Sequence, residues 1–265
     1  MPPIALLLVL LAAVFHATWN LTLHTTADRP ATMAVSGLVG GLVLLPAVLI
    51  SPPWPVFPLI VLSAIAEAGY ALCLSAAYHR GALAVAYPIG RGTAPLLVTL
   101  GAWLVLAQSP GLTPALGAIA LAAGLILVAT AGRQAGQLTA VGFALLTGCC
   151  IASYSLIDSQ AVHQVAPLGY LGVVLALQGL LLFGAIRGDL VRLRQAWWPG
   201  VRVAVGSTAA YLLVLLAFQQ AGAGQVATLR EVSVLIGLVL AGGKPGWRIW
   251  LGGSFVVLGA ILTAI

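Results

Sequence analysis

Ten apolar runs divide this chain, and each is close to the length needed to cross a bilayer, about 20 residues in a helix. Pro, Gly and charged residues bound them, and they run near 3–24, 30–50, 56–78, 84–106, 112–130, 138–159, 166–186, 198–220, 225–242 and 247–265. Backbone groups inside lipid must satisfy their own hydrogen bonds, so each run is predicted to be an α-helix. The sequence therefore predicts an all-α membrane protein with ten transmembrane helices and short connections.

Composition supports a membrane protein and excludes other classes. Hydrophobic residues make up 62% of the chain and charged residues 6%, against about 25% charged in soluble domains. The 11 basic residues outnumber the 5 acidic ones, but they are scattered singly, so no nucleic-acid partner is predicted. The first run has neither a basic start nor a small-residue cleavage site and is interpreted as a transmembrane helix. We expect a multi-pass protein of the cell (inner) membrane, with the lipid bilayer as a partner.

The ten runs fall into two halves that resemble each other weakly. A polar connector at 132–137 separates a predicted first five-helix repeat, 1–131, from a second, 138–265. The string Ala17 to Leu21 parallels Ala152 to Leu156, and Val85 to Thr93 parallels Val226 to Ser233. Because five is odd, a duplicated half must cross the membrane in the opposite direction, which predicts inverted repeats.

Basic residues between the runs or close to their ends support this inversion. All nine lie in or beside the odd-numbered connections: Arg29, Arg80, Arg133, Arg187, Arg192, Arg194, Arg202, Lys244 and Arg248. In the first half the basic residues follow its first and third runs, whereas in the second half they follow its own second and fourth runs. The charge bias is therefore reversed between the halves. Basic connections are usually cytoplasmic, so both termini are predicted to lie outside.

Five charged residues lie inside apolar runs, where a charge near the bilayer centre costs about 2.5–3.5 kcal/mol and often marks a functional site. They are Glu67, Arg91, Asp158, Arg230 and Glu231. Glu67 lies near the middle of its run and is a candidate proton carrier; the alternative is a permanent ion pair with Arg91 or Arg230. Asp158 lies near the end of its run, where it could simply reach the interface.

The fourth run contains two prolines and two glycines between Tyr87 and Pro95. Such residues are predicted to bend or break the helix beside a cavity. Alignment of the repeats places Arg91 opposite Glu231, close to the expected two-fold axis. The two side chains could form a structural latch or a clamp for a zwitterionic substrate, and both interpretations remain open.

Polar and aromatic side chains share helix faces in four runs, because residues three or four apart lie on the same side. These faces comprise His16, Trp19 and Asn20 in the first run, Glu67 and Tyr70 in the third, Tyr154, Ser155 and Asp158 in the sixth, and Tyr211 in the eighth. Substrate contact is one interpretation. Hydrogen bonding between helices is the other.

Small residues spaced four apart, Gly37 with Gly41 and Ala120 with Gly124, permit close helix packing or a homodimer. The three cysteines have no metal-binding spacing, and the chain has no Walker loop, zinc-protease motif or serine nucleophile elbow. No catalytic residue, metal or cofactor is therefore predicted.

This plan resembles the drug/metabolite transporter superfamily, EamA type. The strings that carry the resemblance are His16 to Asn20, Ala86 to Pro95 and Leu229 to Ser233. The resemblance implies two inverted five-helix repeats around a central cavity, and export of amino acids or other small metabolites. The substrate-binding residues implied are Trp19, Asn20, Glu67, Tyr70, Tyr87, Arg91, Tyr154, Tyr211 and Glu231, with Glu67 and Glu231 also candidates for proton coupling. Gln108 and Lys244 stand near positions where the family often has Glu.

The sequence therefore predicts a secondary transporter, expected to be an exporter, of a small organic metabolite, an amino-acid-like compound or a drug. It would work by alternating access around a midplane cavity. Two alternatives are an intramembrane enzyme acting on a lipid-linked substrate, and a membrane sensor or scaffold that moves no solute.

Overall fold

The computed structural model describes residues 1–80, 83–130, 138–240 and 246–265, except for the side chains at 78, 80, 83–88, 128–130, 138, 238–239 and 249. Its helices are α1 (Pro3–His24), α2 (Arg29–Val43), α3 (Leu45–Ile50), α4 (Phe57–Arg80), α5 (Leu83–Leu106), α6 (Leu112–Thr130), α7 (Leu138–Ala161), α8 (Pro167–Ala185), α9 (Leu190–Gln195), α10 (Trp197–Phe218), α11 (Ala223–Arg230), α12 (Val232–Leu240) and α13 (Trp247–Ala264). Six helical segments are long and apolar enough to cross a membrane, and two shorter apolar helices accompany them. The all-α membrane fold is confirmed.

Two of the ten predicted spans are interrupted. The second divides into α2 and α3 beside Pro46, because a proline ring has no N–H to donate to the preceding turn. The ninth divides into α11 and α12 at Glu231. There the backbone tightens into bonds between residues three apart, from the N–H of Glu231 to Thr228 O (3.1 Å) and from Val234 to Glu231 O (3.0 Å).

The fourth span is predicted to bend or break, and the break is wrong. The helix α5 runs without interruption from Leu83 to Leu106, through both prolines. Between the prolines, the hydroxyl of Thr93 donates to the carbonyls of Ile89 (3.0 Å) and Gly90 (3.2 Å). Hydroxyl donors of this kind help a membrane helix to accommodate proline. The break occurs instead in the predicted repeat mate of this span, at Glu231.

The packing of the helices is nearly unchanged when the two halves are exchanged. Three spans pack against their own predicted mates: α2 against α8, α5 against α11, and α6 against α13. The contact of α1 with α10 is matched by that of α7 with α4. A pseudo-two-fold axis produces this pattern, which supports the predicted repeats. Their boundaries at 131 and 138 stay a prediction, because the connector 132–137 lies outside the described residues.

The even-numbered connections and both chain ends meet on one side of the bundle. The amino group of Met1 donates to Ala264 O (3.0 Å), and the side chain of Gln219 donates to Val162 O (2.8 Å). Two odd-numbered connections contact each other separately, through Asp28 and Arg192. Among the described residues, the contacts of these connections agree with the charge pattern. The cytoplasmic assignment of the basic side stays a prediction.

Asp28 joins the start of α2 to the short helix α9. Its carboxylate accepts the N–H of Ala31 (3.1 Å), which caps α2, and two hydrogen bonds from Arg192, with Nε at 2.6 Å and Nη2 at 3.0 Å. The hydrogen bond from Arg192 is the main reason that the pKa of Asp28 is held below its ordinary value. The pair is partly exposed, so solvent screens it.

We expect Asp28→Ala to lower the free energy of unfolding by about 1–2 kcal/mol, mostly through the lost cap, and Asp28→Asn by less than about 1 kcal/mol, because Asn still caps the helix. The pKa of Asp28 is lower in the folded protein, so its ion-pair contribution is complete above the unfolded pKa near 4 and disappears as pH falls through the folded value. Unfolding of the purified variants at pH 7 and pH 3 measures both effects. Equal losses for the two variants would contradict the capping role.

The small-residue faces pack inside the molecule. A Cβ on Gly37 would lie 2.8 Å from the Cα of Gly179 in α8, and one on Gly41 would lie 2.7 Å from the Cβ of Ala176. A Cβ on Gly124 would lie 2.5 Å from Gly252 O in α13. Close helix packing therefore accounts for these residues, and the homodimer stays a prediction without their support.

Two glycines of α8 provide a matched test of this packing. We expect Gly179→Ala to destabilise the protein by about 1–3 kcal/mol, because the new methyl group would lie 2.6 Å from Leu38 N and must push α2 away. Gly184 is exposed with nothing within 4 Å of an added Cβ, so Gly184→Ala should be neutral or stabilising by up to about 1 kcal/mol. Thermal unfolding in detergent compares them, and a similar loss in both would argue against the α2 and α8 contact.

Candidate functional site

A cavity lies inside the bundle, with a volume of about 60 Å³ for water-sized molecules. Side chains from both predicted halves line it: Ala12, His16, Trp19, Met33, Ser36, Glu67, Tyr70, Tyr154, Leu175, Gln178, Ser207, Ala210, Tyr211, Val214 and Arg230. Five of the predicted substrate-binding residues are among them, namely Trp19, Glu67, Tyr70, Tyr154 and Tyr211. The structure therefore brings together residues from the first, third, sixth and eighth spans.

Aromatic rings form one continuous wall of this cavity. Tyr154 packs edge-to-face against Tyr70, with ring centres 6.2 Å apart, and against Tyr211, at 5.7 Å. Trp19 packs against the ring of His16 at 4.7 Å. The indole N–H of Trp19 and the hydroxyl of Tyr70 are buried and have no hydrogen-bond partner in the part of the chain that the structure describes. Such unsatisfied polar groups are costly to bury.

Arg91 and Glu231 form a buried ion pair, with Arg91 Nε 2.7 Å from Glu231 Oε2. Nη2 of Arg91 also donates to Ser233 Oγ (3.2 Å). The pair joins α5 to the break between α11 and α12, as the repeat alignment suggested. Neither residue is part of the cavity lining. This geometry favours the structural latch over the substrate clamp.

Arg230 lines the cavity, whereas Arg91, the arginine predicted to bind substrate, does not. Its guanidinium is buried, and its Nε lies 3.9 Å from Glu231 Oε1. That distance is too long for a hydrogen bond, and both Nε and Nη2 lack a hydrogen-bond partner among the described residues. The cavity lining also contains one negatively charged residue, Glu67. The two charges are not within ion-pair distance of each other.

The side chain of Asp158, near the C-terminal end of α7, is completely buried in the protein. Its Oδ1 accepts a hydrogen bond from the hydroxyl of Tyr170 (2.6 Å), and its Oδ2 accepts one from the hydroxyl of Tyr211. The carboxylate thus ties α7 to α8 and α10. Since Tyr211 belongs to the aromatic wall, Asp158 fixes a cavity residue without being part of the lining itself.

Two further residues that were predicted to bind substrate, Asn20 and Tyr87, are not among the described side chains that line the cavity. Asn20 is buried next to the cavity, where its Nδ2 lies 3.2 Å from Nε2 of His16, and it is His16 that forms part of the lining. The side chain of Tyr87 lies outside the described residues. Helical periodicity placed His16 and Asn20 on one face but could not tell which of the two reaches the cavity.

Gln108 has a structural role just beyond the C-terminal end of α5. Its side-chain oxygen accepts the N–H of Ala223 (3.3 Å), which is the first residue of α11. An amide oxygen thus supplies the acceptor that a glutamate in this region could supply. Lys244 lies outside the described residues.

Comparison with protein families matches residues 138–265 to the EamA-like transporter family. The match covers the second half of the chain, which is similar to this family. A Bacillus subtilis (strain 168) protein, "Uncharacterized transporter YwfM", is 27% identical to this EamA-like chain over 275 residues, covering 97% of the chain and 93% of the relative.

A solved structure described only as "Crystal structure of protein" shares the fold with a TM-score of 0.76 and 18% identity, over 98% of this chain and 96% of the other. Together the family match and the relative confirm the resemblance to drug/metabolite transporters. This EamA-like chain is a multi-pass membrane transporter.

Proposed function

We propose that this EamA-like protein exports a small organic solute by alternating access, with one five-helix half rocking against the other around the central cavity. The observation that carries the proposal is the cavity itself, because both predicted halves line it and it contains buried charges of both signs. Metabolites, amino-acid-like compounds and drugs are the solute classes that fit. The export direction rests on the resemblance to the family.

The composition of the cavity supports solute binding over a purely structural role. Burying a charge without a partner in contact is expensive, yet Glu67 and Arg230 both face the same space. The aromatic wall can hold a flat or cationic group, and a guanidinium can bind a carboxylate in two-point fashion. A packed structural core gains nothing from these groups.

The helix contacts support motion between the halves. The contacts between them include those of α1 with α10 and of α4 with α7, and all four of these helices contribute to the cavity lining. A rocking movement of one half would change these contacts and open the cavity to alternate sides. Glu67 is the better of the two proposed proton carriers, because Glu231 is held by Arg91.

Two positions on α10 test the proposal. Ser207 lines the cavity, whereas the side chain of Val205 is 69% exposed on the outer surface of the bundle. We expect Ser207→Trp to fill the cavity and abolish solute flux, and Val205→Trp to leave flux close to wild type. Uptake of radiolabelled amino acids and organic cations into proteoliposomes measures flux, and size-exclusion chromatography checks folding. Equal flux in both variants, or no flux of any tested solute in the wild type, would overturn the proposal.

A further inference from the structure

A row of exposed side chains crosses the joint between α9 and α10. Its members recur at every fourth residue: Leu190, Arg194, Trp198 and Arg202. Helical hydrogen bonds continue through the joint, because the N–H of Ala196 donates to Arg192 O (3.0 Å) and that of Gly200 donates to Ala196 O (2.8 Å). Residues four apart in a helix lie on one face. Apolar and cationic side chains therefore alternate along a single outer face of the protein.

This row lies where a span enters the membrane. The helix α10 is long and apolar enough to cross a bilayer, and Trp197 and Trp198 are its first two residues. Tryptophan is enriched at the level of the lipid headgroups, and the side chain of Trp198 is 70% exposed. Arg202 lies one turn further along the same helix. The row therefore belongs to the headgroup region of the bilayer.

The short helix α9 has one face on the protein and one face turned away from it. Leu193 packs against the apolar core, and Arg192 binds Asp28. On the other face, Leu190 is 69% exposed and Val191 is 66% exposed. Exposed apolar side chains next to basic ones are typical of a helix that lies in the membrane interface.

The arginines of the row are not neutralised by the protein. Within the ranges that the structure describes, neither Arg194 nor Arg202 has an ion pair or a side-chain hydrogen bond. Asp189 accepts two backbone N–H groups of α9 through its Oδ1, and Asp28 is bound by Arg192. The other three carboxylates of the chain are buried inside the bundle. Positive charge therefore dominates this face.

We propose that this face binds an anionic phospholipid, whose phosphate lies between the guanidinium groups of Arg194 and Arg202 and over Trp198. The two arginines are separated by two helical turns, roughly 12 Å along the axis, which long side chains can close around one phosphate. Guanidinium groups bind phosphate oxygens with paired N–H donors. The exposed apolar side chains beside them favour a lipid over free phosphate, because acyl chains can cover them.

The headgroup is expected to be one with a net negative charge, such as phosphatidylglycerol. Phosphatidylcholine has the same phosphate, but its ammonium group finds no free carboxylate on this face and adds a second positive charge to it. The site lies on the outer surface of α9 and α10, away from the cavity lining. It therefore does not depend on the solute or on the transport mechanism.

Competition between two lipids tests the site. The full chain is purified in a neutral detergent and mixed with equal amounts of phosphatidylglycerol and phosphatidylcholine that have the same acyl chains, and native mass spectrometry counts the lipids that stay bound. We expect the wild type to retain phosphatidylglycerol at least tenfold over phosphatidylcholine. Arg194→Gln and Arg202→Gln should each reduce this preference about fivefold, which is typical of one basic residue at an anionic surface.

A third arginine provides the matched control. Arg248 is exposed at the start of α13, where its guanidinium carbon lies 5.5 Å from the centre of the Trp247 ring. Arg248→Gln therefore removes the same charge from beside a tryptophan, and it should leave the preference unchanged. Size-exclusion chromatography checks that each variant is folded.

Three results would overturn the lipid site. Equal retention of the two lipids by the wild type would show that the face has no preference for a negative headgroup. An equal loss in Arg194→Gln, Arg202→Gln and Arg248→Gln would show diffuse attraction by the net charge. Displacement of the bound lipid by inorganic phosphate would show an anion site without lipid specificity.

Discussion

Replacing Arg91 with methionine is expected to lower the free energy of unfolding by about 3–5 kcal/mol, because Glu231 would stay buried without its partner. Both side chains are almost inaccessible, at 2% and 0% exposure, so water cannot take over the lost contact. Glu231→Gln should show a comparable loss for the same reason. Unfolding of the purified variants by heat or denaturant measures the effect.

A double variant separates the pair from its two members. Arg91→Met with Glu231→Gln should be more stable than either single variant, because no unpaired charge remains at this contact. Arg192→Met is the control, since the partly exposed pair with Asp28 should contribute about 1 kcal/mol or less. A double variant with additive losses would show that the two residues are not energetically coupled.

Exchanging the charges tests the latch interpretation directly. The variant Arg91→Glu with Glu231→Arg keeps an ion pair at the junction of α5, α11 and α12. If it folds and transports normally, the pair acts as a latch, as its position off the cavity lining indicates. A stable protein without transport would return these residues to the solute site.

Replacing Asp158 with alanine is expected to destabilise the protein by about 3–5 kcal/mol, because two hydrogen bonds to a charged acceptor are lost at once. Solute affinity should fall as well, since Tyr211 would lose the contact that orients its ring in the aromatic wall. Thermal unfolding and the dependence of flux on solute concentration measure the two effects.

Two tyrosine variants separate the effect on stability from the effect on solute affinity. Tyr170→Phe removes one bond outside the cavity and should lower stability by about 1.5–3 kcal/mol without changing affinity. Tyr211→Phe removes the bond next to the cavity and should change both. If Tyr170→Phe and Tyr211→Phe lower affinity equally, Asp158 supports the fold without positioning Tyr211.

Repeat alignment predicted the best-defined contact in the protein. It placed Arg91 opposite Glu231, and the two side chains form an ion pair between α5 and the end of α11, 140 residues apart in the chain. Helical periodicity likewise predicted that Glu67, Tyr70 and Tyr154 face the interior. These inferences succeed because the length of each apolar run, the similarity of the two halves and the presence of charges inside apolar runs can all be recognised in the sequence itself.

Other parts of the site depend on tertiary structure. No glycine or proline lies between Gly224 and Gly237, so nothing in the sequence indicates the break at Glu231 that orients Arg230 towards the cavity. Conversely, the prolines of α5 suggest a break that is absent. Tyr170 has no motif around it, and only the approach of α8 to α7 reveals it as a partner of Asp158.

The interrupted ninth span has a consequence for the direction of transport. In an ideal inverted duplication, swapping the conformations of the halves turns an outward-facing molecule into an inward-facing one of the same energy. Here the ninth span is interrupted at Glu231, whereas the corresponding span of the first half, α5, is one continuous helix. Under the proposed alternating access, the two end states would therefore differ in energy, and we expect the empty carrier to rest preferentially on one side of the membrane.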